Sequence, residues 1–326
     1  MKENLKYFDV DSKAELPKLS EGQRYMICFG QSETNYRAYI VPKSMSRLEF
    51  MEKYPEYISN CNKEVYKHNG IVVRQDPKLA CPAFYIVALY PDNYRSFAVM
   101  SDEYFLRFSF ILKKIRNIMK KDLNISYIDI LSNETAEPYM NVHFWLMPIF
   151  NGNSNNFLDF SNRQYLESFV PKEEIEKLNE YNDKMLNKVQ QINLKKLDDE
   201  VTNTLIPQLI KQPIVFKNLN TKGNQILYNE DDIVVNKVSD FKQDIFTITV
   251  EKDIKSIDDM DDISFIKLSF VLKKLKEQME KELGIKYAYL LYDDNPNTPL
   301  TIGLLPIDGV TSPDLLDLNL KEYLGL

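Results

Sequence analysis

Glycine, cysteine, histidine and tryptophan are all scarce in this chain. Its 326 residues include 9 Gly, 3 Cys and 2 His, with 1 Trp. No Cys-x-x-Cys pair occurs and Cys28, Cys61 and Cys81 are far apart, which argues against a disulfide framework and a zinc ribbon. A sparse, odd number of cysteines fits a reducing compartment. We therefore expect a cytoplasmic location.

Long apolar runs and an excess of positive charge are also missing. The N-terminal stretch has no apolar signal core, and no later run is long enough to span a membrane. The net charge of −7 disfavours nucleic acid as a partner. Acidic residues are dispersed except for one cluster, which is typical of a helix start: Asp258, Asp259, Asp261 and Asp262.

Phosphate-binding glycine motifs are absent from the sequence. There is no Walker A loop, no dinucleotide fingerprint and no Gly-x-Ser-x-Gly elbow. The sequence also offers no recognisable set of metal ligands and no cofactor motif. Any chemistry on nucleotides must therefore come from other side chains, and we predict neither a metal nor a cofactor.

The chain does contain one long unit twice. SDEYFLRFSFILKKIRNIMKKDLNISYIDIL begins at Ser101, and DDISFIKLSFVLKKLKEQMEKELGIKYAYLL begins at Asp261. Each copy ends in a short apolar strand that closes with proline, NVHFWLMP up to Pro148 and PLTIGLLP up to Pro306. A repeat of this length indicates a duplicated domain rather than a solenoid.

The pattern predicts an α+β fold of two tandem units related by a pseudo-twofold axis. Each unit is expected to be an antiparallel sheet with one main helix packed on it. We place an N-terminal extension plus the first unit at 1–165, with its core at about 70–150, a helical connector at 166–212, and the second unit at 213–326. The two units would form an internal pseudo-dimer, and further homodimerisation is left open.

The main helix of each copy carries one apolar stripe. In the first copy the stripe has helical spacing over about Asp102 to Leu123, and the second copy repeats it. The lysines between the stripe positions are interpreted as a solvated face. A further helix is predicted from about Pro171 to Leu197, as an amphipathic connector rather than an intermolecular coiled coil.

The two histidines differ in their setting. His68 precedes a predicted strand in a turn and is expected to be exposed. His143 lies inside a strand, where alternation places Asn141, His143 and Trp145 on one face. The second copy has Thr301 at the position of His143. The bland alternative is a satisfied, half-buried histidine on a sheet.

The segment Asn141 to Pro148 resembles the histidine-triad (HIT) superfamily, whose hallmark is His-x-His-x-His-x-x-Pro. In that superfamily the middle histidine attacks the α-phosphate of a nucleotide and forms a covalent nucleotidyl-histidine, and the resemblance implies this role for His143. Two such units in one chain resemble the branch that holds galactose-1-phosphate uridylyltransferase and the diadenosine tetraphosphate phosphorylases. The resemblance implies a nucleotide or nucleotide-sugar as substrate.

The motif is degenerate here. Asn141 and Trp145 replace the flanking histidines, and an indole offers one donor only. Upstream, Glu137 and Pro138 stand where the family has a hydroxyl or amide, and Tyr94 stands at a family histidine. Arg74 and Arg95 are candidate phosphate contacts.

Two functions follow from these residues. The first is a HIT-like nucleotidyltransferase or phosphohydrolase with His143 as its nucleophile, in which Asn141, Trp145, Tyr94, Glu137, Arg74 and Arg95 surround the substrate. The second is a catalytically inactive HIT-like protein that binds a nucleotide or a protein partner, because a pocket can outlast its chemistry. The substrate, the pathway and the oligomeric state are not determined by the sequence.

Overall fold

The structure is a computed structural model of the whole chain. It describes residues 5–10, 17–29, 36–45, 49–50, 53–54, 64–75, 83–89, 94–134, 142–149, 177–250, 254–292, 294–295, 297–307 and 323–325. The predicted roles of Asn141 and Glu137 concern positions outside these residues. Cys61 and Cys81 lie outside them as well.

A ten-stranded antiparallel sheet forms the centre of the molecule. Its strands are β4 (Glu64–His68), β5 (Ile71–Gln75), β6 (Tyr85–Leu89), β7 (Tyr127–Asn133), β8 (His143–Ile149), β9 (Gln225–Glu230), β10 (Ile233–Val238), β11 (Ile245–Val250), β12 (Ala288–Tyr292) and β13 (Thr301–Pro306). Their order is β4-β5-β6-β8-β7-β12-β13-β11-β10-β9. The sheet is continuous because β7 pairs with β12, with Leu131 opposite Leu291.

The helices are α1 (Asp102–Lys121), α2 (Leu178–Gln191), α3 (Leu194–Thr204), α4 (Ile206–Leu209) and α5 (Asp262–Leu283). The two long helices begin at side-chain caps: Ser101 accepts a hydrogen bond from Tyr104 N, and Asp261 accepts one from Ser264 N. Gly284, in the left-handed region at φ 69°, ends α5. The molecule is thus α+β, as predicted. In the part of the chain that the structure describes, no helix combines the length and the apolar character needed to cross a membrane.

One continuous core lies between the sheet and helices α1 and α5. The predicted stripe of α1 is fully buried in it, at Phe105, Phe108, Leu112, Ile115 and Met119, and the stripe of α5 is buried in the same way. Strand residues that face the helices alternate with residues that face away, as the pleat requires. Phe144 and Leu146 of β8 therefore belong to the helix-side core, whereas Trp145 and Met147 belong to a second cluster on the opposite face.

A small separate sheet is formed near the N-terminus. It consists of β1 (Tyr7–Val10), β2 (Gln23–Phe29) and β3 (Tyr36–Pro42), in the order β1-β3-β2. Its own apolar cluster includes Tyr39, Phe50 and Tyr54, whose rings contact one another in sequence. This sheet lies ahead of the residues that the sequence analysis assigns to the core of the first unit.

The connector differs from the single helix that was predicted. The described helix begins at Leu178 and ends at Gln191, and α3 starts three residues later. Asn193, between them, adopts the left-handed conformation at φ 49°, which an α-helix cannot continue through. The break directs α3 against α1, where Arg107 meets Asp198.

Helices α1 and α5 are joined by ion pairs that match across the repeat. Lys114 Nζ lies 2.6 Å from Asp262 Oδ2, and Lys274 Nζ lies 2.8 Å from Asp102 Oδ2. Lys113 donates to Met260 O at 2.6 Å, and Lys273 donates to Ala98 O at 2.8 Å. The prediction of a solvated lysine face is therefore wrong at Lys113, which is 2% exposed. The pattern of one helix did not reveal that a second helix covers this position.

A buried cluster of charge flanks each end of this helix pair. At one end Arg116 Nη2 lies 2.6 Å from Asp294 Oδ2, and at the other Lys276 Nζ lies 3.1 Å from Glu134 Oε2. Arg116, Lys276 and Glu134 are almost completely buried. Lone charges at such depth would be costly, so each is stable only with its partner in place. The predicted helix-start role of the aspartate cluster is confirmed at Asp261, and Asp258 and Asp262 also pair with α1.

Candidate functional site

His143 is the first residue of β8 and lies on the sheet face opposite α1. It pairs with Ala88 of β6, and its side chain is half-buried. Directly opposed residues in antiparallel strands point to the same face, so Ala88 and His143 share a row. The imidazole thus stands at the end of a strand, on a face that the main helix leaves uncovered.

The backbone around His143 is held from both sides. Ser132 Oγ donates to His143 O at 2.9 Å, and Val142 N donates to Tyr94 O at 2.7 Å. These two hydrogen bonds hold the backbone from which the imidazole projects, as a side chain with a defined position requires. Ser132 was not singled out in the sequence, and only the strand pairing reveals its contact.

Trp145 occupies the next position on the same face. Its ring lies 4.7 Å from the His143 ring, centroid to centroid, at an interplanar angle of 79°. It is 3% exposed and packs with Ile86 and Leu131 in the second cluster. An edge-to-face pair of this kind limits the rotamers of both rings. The indole therefore forms one wall beside the imidazole.

Arg74 belongs to the row of Trp145. It pairs with Ile86, which in turn pairs with Trp145, and it is 4% exposed. Two strand spacings of roughly 4.8 Å separate the Arg74 and Trp145 positions. Arginine remains charged at any physiological pH, so this residue contributes a permanent positive charge to the face that carries His143.

The other predicted site residues are distributed less compactly. The Tyr94 ring lies 5.9 Å from the Tyr104 ring and packs against the helix-side core, although its carbonyl reaches the backbone next to His143. Arg95 is half-buried beside it. The described structure therefore brings His143, Trp145 and Arg74 onto one face, and it turns the Tyr94 ring toward the other.

The second copy has no imidazole at the matching position. Thr301 pairs with Thr249, as His143 pairs with Ala88, and the two hydroxyl oxygens are 3.1 Å apart. Thr301 Oγ1 also donates to Pro299 O at 3.1 Å. Gly303 stands at the position of Trp145. The hydrogen-bond partners of this hydroxyl are another hydroxyl and a carbonyl rather than an imidazole, so the described residues give the second copy no activated nucleophile at this position.

His68 is not in an exposed turn, as was predicted, but ends β4 and is half-buried. Its Nε2 lies 2.8 Å from Asp199 Oδ1 of α3. Next to it, Asp198 is fully buried and binds Arg107 through both oxygens, at 3.0 and 2.6 Å. Tyr66 OH donates to Asp198 Oδ2 at 3.0 Å. Burial of Tyr66 together with the Asp198 charge raises the pKa of the phenol far above its usual value.

Sequence reasoning missed this cluster because its members come from three separate stretches of the chain, with Arg107 lying 91 residues before Asp198 and His68 lying 131 residues before Asp199. No local pattern joins them. The helix-pair lysines were in principle detectable, since Lys113/Lys273 and Lys114/Lys274 are identical in both copies although they lie off the apolar stripe. Identity at polar positions of a repeat points to a contact that both copies make.

Comparisons with solved structures find several similar structures at low sequence identity. A GalT-like protein from Arabidopsis thaliana is 12% identical, with 77% of this chain and 81% of that chain covered and a TM-score of 0.44. An ADP-glucose phosphorylase from Arabidopsis thaliana with bound ADP-glucose is 13% identical, with 77% and 78% covered and a TM-score of 0.42. A DUF4931 family protein from Bacillus cereus is 10% identical, with 76% and 87% covered and a TM-score of 0.42.

A GalT-like protein is thus among the structures that this chain is similar to, as the resemblance led us to expect. No protein family and no curated protein matches the chain by sequence. At such identities and TM-scores the neighbours assign neither a substrate nor a role to any residue of this chain. Its function has to be argued from its own residues.

Proposed function

We propose that the chain consists of two tandem HIT-like units related by a pseudo-twofold axis. The strand order supports this, because β4-β5-β6-β8-β7 is followed by its reverse counterpart, β12-β13-β11-β10-β9. The ion pairs between the long helices support it as well, since Lys114–Asp262 and Lys274–Asp102 are the same contact made in both directions. The second unit would then serve as a scaffold for the first.

We further propose that the protein is a nucleotidyltransferase or phosphohydrolase that acts on a nucleotide or nucleotide-sugar through His143. A ring nitrogen of neutral His143 forms a bond to the α-phosphorus while the bond from phosphorus to the leaving oxygen breaks. In the second step an acceptor oxygen, from water or a phosphate, bonds to the phosphorus and the N–P bond breaks. The enzyme returns to its starting state, and no oxidant or reductant is needed.

The observation that carries this proposal is the placement of His143. Its imidazole stands half-exposed at a strand end, its backbone is fixed by Ser132 and by the Tyr94 segment, and its counterpart in the second unit is a threonine. A residue kept only for packing would not need this combination. Arg74 lies on the same face, but at 4% exposure it supports the proposal only as a nearby cationic side chain and not as a contact to phosphate.

A second candidate function is a HIT-like protein that binds a nucleotide without turnover. The position of the Trp145 ring favours this second function. The ring lies against His143, at the position where the family motif has a side chain that contacts phosphate. An indole has one N–H donor and no positive charge, so it stabilises a charged transition state poorly. Such a protein would bind the nucleotide without cleaving or transferring any part of it.

Intact-protein mass spectrometry distinguishes the two functions. The protein is incubated with UDP-sugars, ADP-glucose, diadenosine polyphosphates and adenosine phosphoramidate, and is quenched at alkaline pH because a nucleotidyl-histidine is acid-labile. ADP-glucose, the ligand of one similar structure, is tested first. The variants are His143→Asn and, as the matched control, His68→Asn, which changes the only other histidine of the chain.

A nucleotidyl adduct in the wild type and in His68→Asn, but not in His143→Asn, supports the transferase. The intrinsic fluorescence of Trp145, the single tryptophan, reports binding in the same samples. A saturable fluorescence change without adduct or product supports the binding protein. An adduct that persists in His143→Asn, or neither binding nor adduct across the panel, contradicts the proposed role of His143.

A further inference from the structure

A second cluster of chemically active side chains lies away from His143, where the β4–β5 hairpin meets helix α3. Ring nitrogen or carboxylate oxygen atoms of His68, Asp198 and Asp199 all lie within 4.8 Å of one another. One imidazole and two carboxylates are ligand types that zinc takes in proteins, and donor atoms this close can converge on one ion after small side-chain rotations. We propose that His68, Asp198 and Asp199 form a site for a divalent transition-metal ion, with Zn²⁺ as the best-suited ion.

The hydrogen bonds at His68 leave room for a metal. Its Nε2 lies 2.8 Å from Asp199 Oδ1 and 3.0 Å from Asn69 Nδ2. One ring nitrogen cannot donate to the carboxylate and accept from the amide at once. A metal that takes the lone pair of Nε2 and one oxygen of Asp199 would replace the present His68–Asp199 contact, and Asn69 would keep Asp199 as its acceptor at the present distance of 3.3 Å.

Asp198 can contribute an oxygen without losing its present partners. A carboxylate offers about four lone-pair positions. Oδ2 accepts from Arg107 and Tyr66, and Oδ1 accepts from Arg107 Nε at 3.0 Å. One lone pair of Oδ1 therefore stays available, and the bidentate guanidinium orients the carboxylate, as partners of metal ligands commonly do.

Charge favours a divalent ion at this position. Neutral His68, two carboxylates and the Arg107 guanidinium sum to one net negative charge. The mixed nitrogen and oxygen set suits zinc better than magnesium or calcium, which prefer oxygen ligands alone. Asp199 is half-exposed, with 51% of its side chain accessible, so the ion has a route from solvent and a place for a bound water.

The site would fasten the connector to the first unit. His68 ends an edge strand of the large sheet, whereas both aspartates belong to α3, about 130 residues later. A cavity of about 430 Å³ lies alongside, between β4 and the α2–α3 break at Asn193. A bound ion would hold the two walls of this cavity together at one end and so fix its shape.

The test is zinc titration of the metal-free full-length chain, followed by calorimetry and by metal analysis after dialysis. We expect one Zn²⁺ per chain in the wild type and in His143→Ala, which is the matched histidine control. In His68→Ala and Asp199→Asn the affinity should fall at least about tenfold, the usual loss when a ligand or its support is removed. Magnesium should not compete.

Asp199→Asn is the decisive variant because Asp199 is exposed, so its replacement should leave the fold intact. A change at the buried Asp198 could instead prevent folding. The thermal unfolding midpoint of the wild type should also rise with zinc, and that of Asp199→Asn should not, since only the folded state holds the site. Equal zinc affinity in the wild type, His68→Ala and Asp199→Asn overturns the proposal. Absence of wild-type binding at millimolar zinc overturns it too and leaves the His68–Asp199 contact as a hydrogen bond only.

Discussion

Replacing the buried carboxylate Asp294 by asparagine tests the account of how the two halves are joined. Asp294 Oδ2 lies 2.6 Å from Arg116 Nη2 and 2.7 Å from Lys120 Nζ, and it accepts from Ile128 N at 2.9 Å. Oδ1 accepts from Tyr292 OH at 3.1 Å and from Ser256 Oγ at 3.0 Å. The change to an amide is nearly isosteric, so it alters charge and hydrogen bonding with little change in volume.

The expected loss follows from these contacts. The amide nitrogen must replace one oxygen; Oδ2 faces three donors and Oδ1 faces two, so at least two contacts are lost whichever way the amide turns. Each unsatisfied buried group costs about 1–3 kcal/mol. Arg116 is 0% exposed and, among the described residues, would keep Asp258 as its only carboxylate partner, which it shares with Lys120. We expect unfolding free energy to fall by about 3–5 kcal/mol, the range for a buried pair that loses one partner.

The assay is urea unfolding followed by Trp145 fluorescence and far-ultraviolet circular dichroism. The matched control is Asp231→Asn, which removes the same charge from an ion pair with Lys267 on the surface, where 56% of the Asp231 side chain is accessible. Asparagine also tolerates the left-handed backbone of Asp231, at φ 53°. The control should lose at most about 1 kcal/mol. An equal, small loss in both variants would refute the reasoning.

Three further outcomes are expected. Burial alone would raise the pKa of Asp294, but the positive charges of Arg116 and Lys120 outweigh burial and hold that pKa below its ordinary value. Lys114 and Lys113 lower the pKa of Asp262 against the effect of burial in the same way. Both carboxylates therefore contribute their full stabilisation above about pH 3.9, the pKa of aspartate in the unfolded chain, and lose it as the pH falls through their lower folded pKa values. Acid unfolding should accordingly depend less steeply on pH in Asp294→Asn than in the wild type. Phe108→Ala, at a fully buried ring 5.0 Å from that of Phe144, should cost about 3–5 kcal/mol in urea unfolding, and a loss below about 1 kcal/mol would contradict the core described here. His143→Asn, at a half-exposed strand end, should change stability by less than about 1 kcal/mol while turnover falls on the order of a thousandfold or more, and wild-type turnover would exclude His143 as nucleophile.

Much of the fold could be predicted because the repeat and the hydrophobic periods are local signals. The helix predicted from about Asp102 to Leu123 is observed from Asp102 to Lys121, since a serine cap and an unbroken apolar stripe define it. The strand that follows it, Tyr127–Asn133, begins within the repeated sequence, which ends at Leu131. Such elements are specified by neighbours within a few positions, which a sequence displays directly.

The remainder depends on contacts between distant residues. Lys113 looked like part of a solvated face because its cover, the start of α5, is almost 150 residues away. His68 looked exposed for the same reason, since its partner Asp199 belongs to the connector. The helix break at Asn193 was missed because asparagine is tolerated within helices and only its left-handed backbone marks the end.

The candidate site was predicted in part. Alternation correctly placed His143 and Trp145 side by side on one face, because a strand has a fixed period of two. The position of Arg74 in the row of Trp145 required the register of three strands, which sequence alone does not provide. The hydrogen bonds from Ser132 and to the Tyr94 carbonyl, which hold the end of the strand, also depend on strand register and could not be read from the sequence.

The mass of the protein after reaction with ADP-glucose and the other nucleotides tests the central claim most directly. The account predicts an acid-labile gain of one nucleoside monophosphate, located on His143 by peptide analysis and absent from His143→Asn. An adduct on any other residue, or wild-type turnover by His143→Asn, would contradict it.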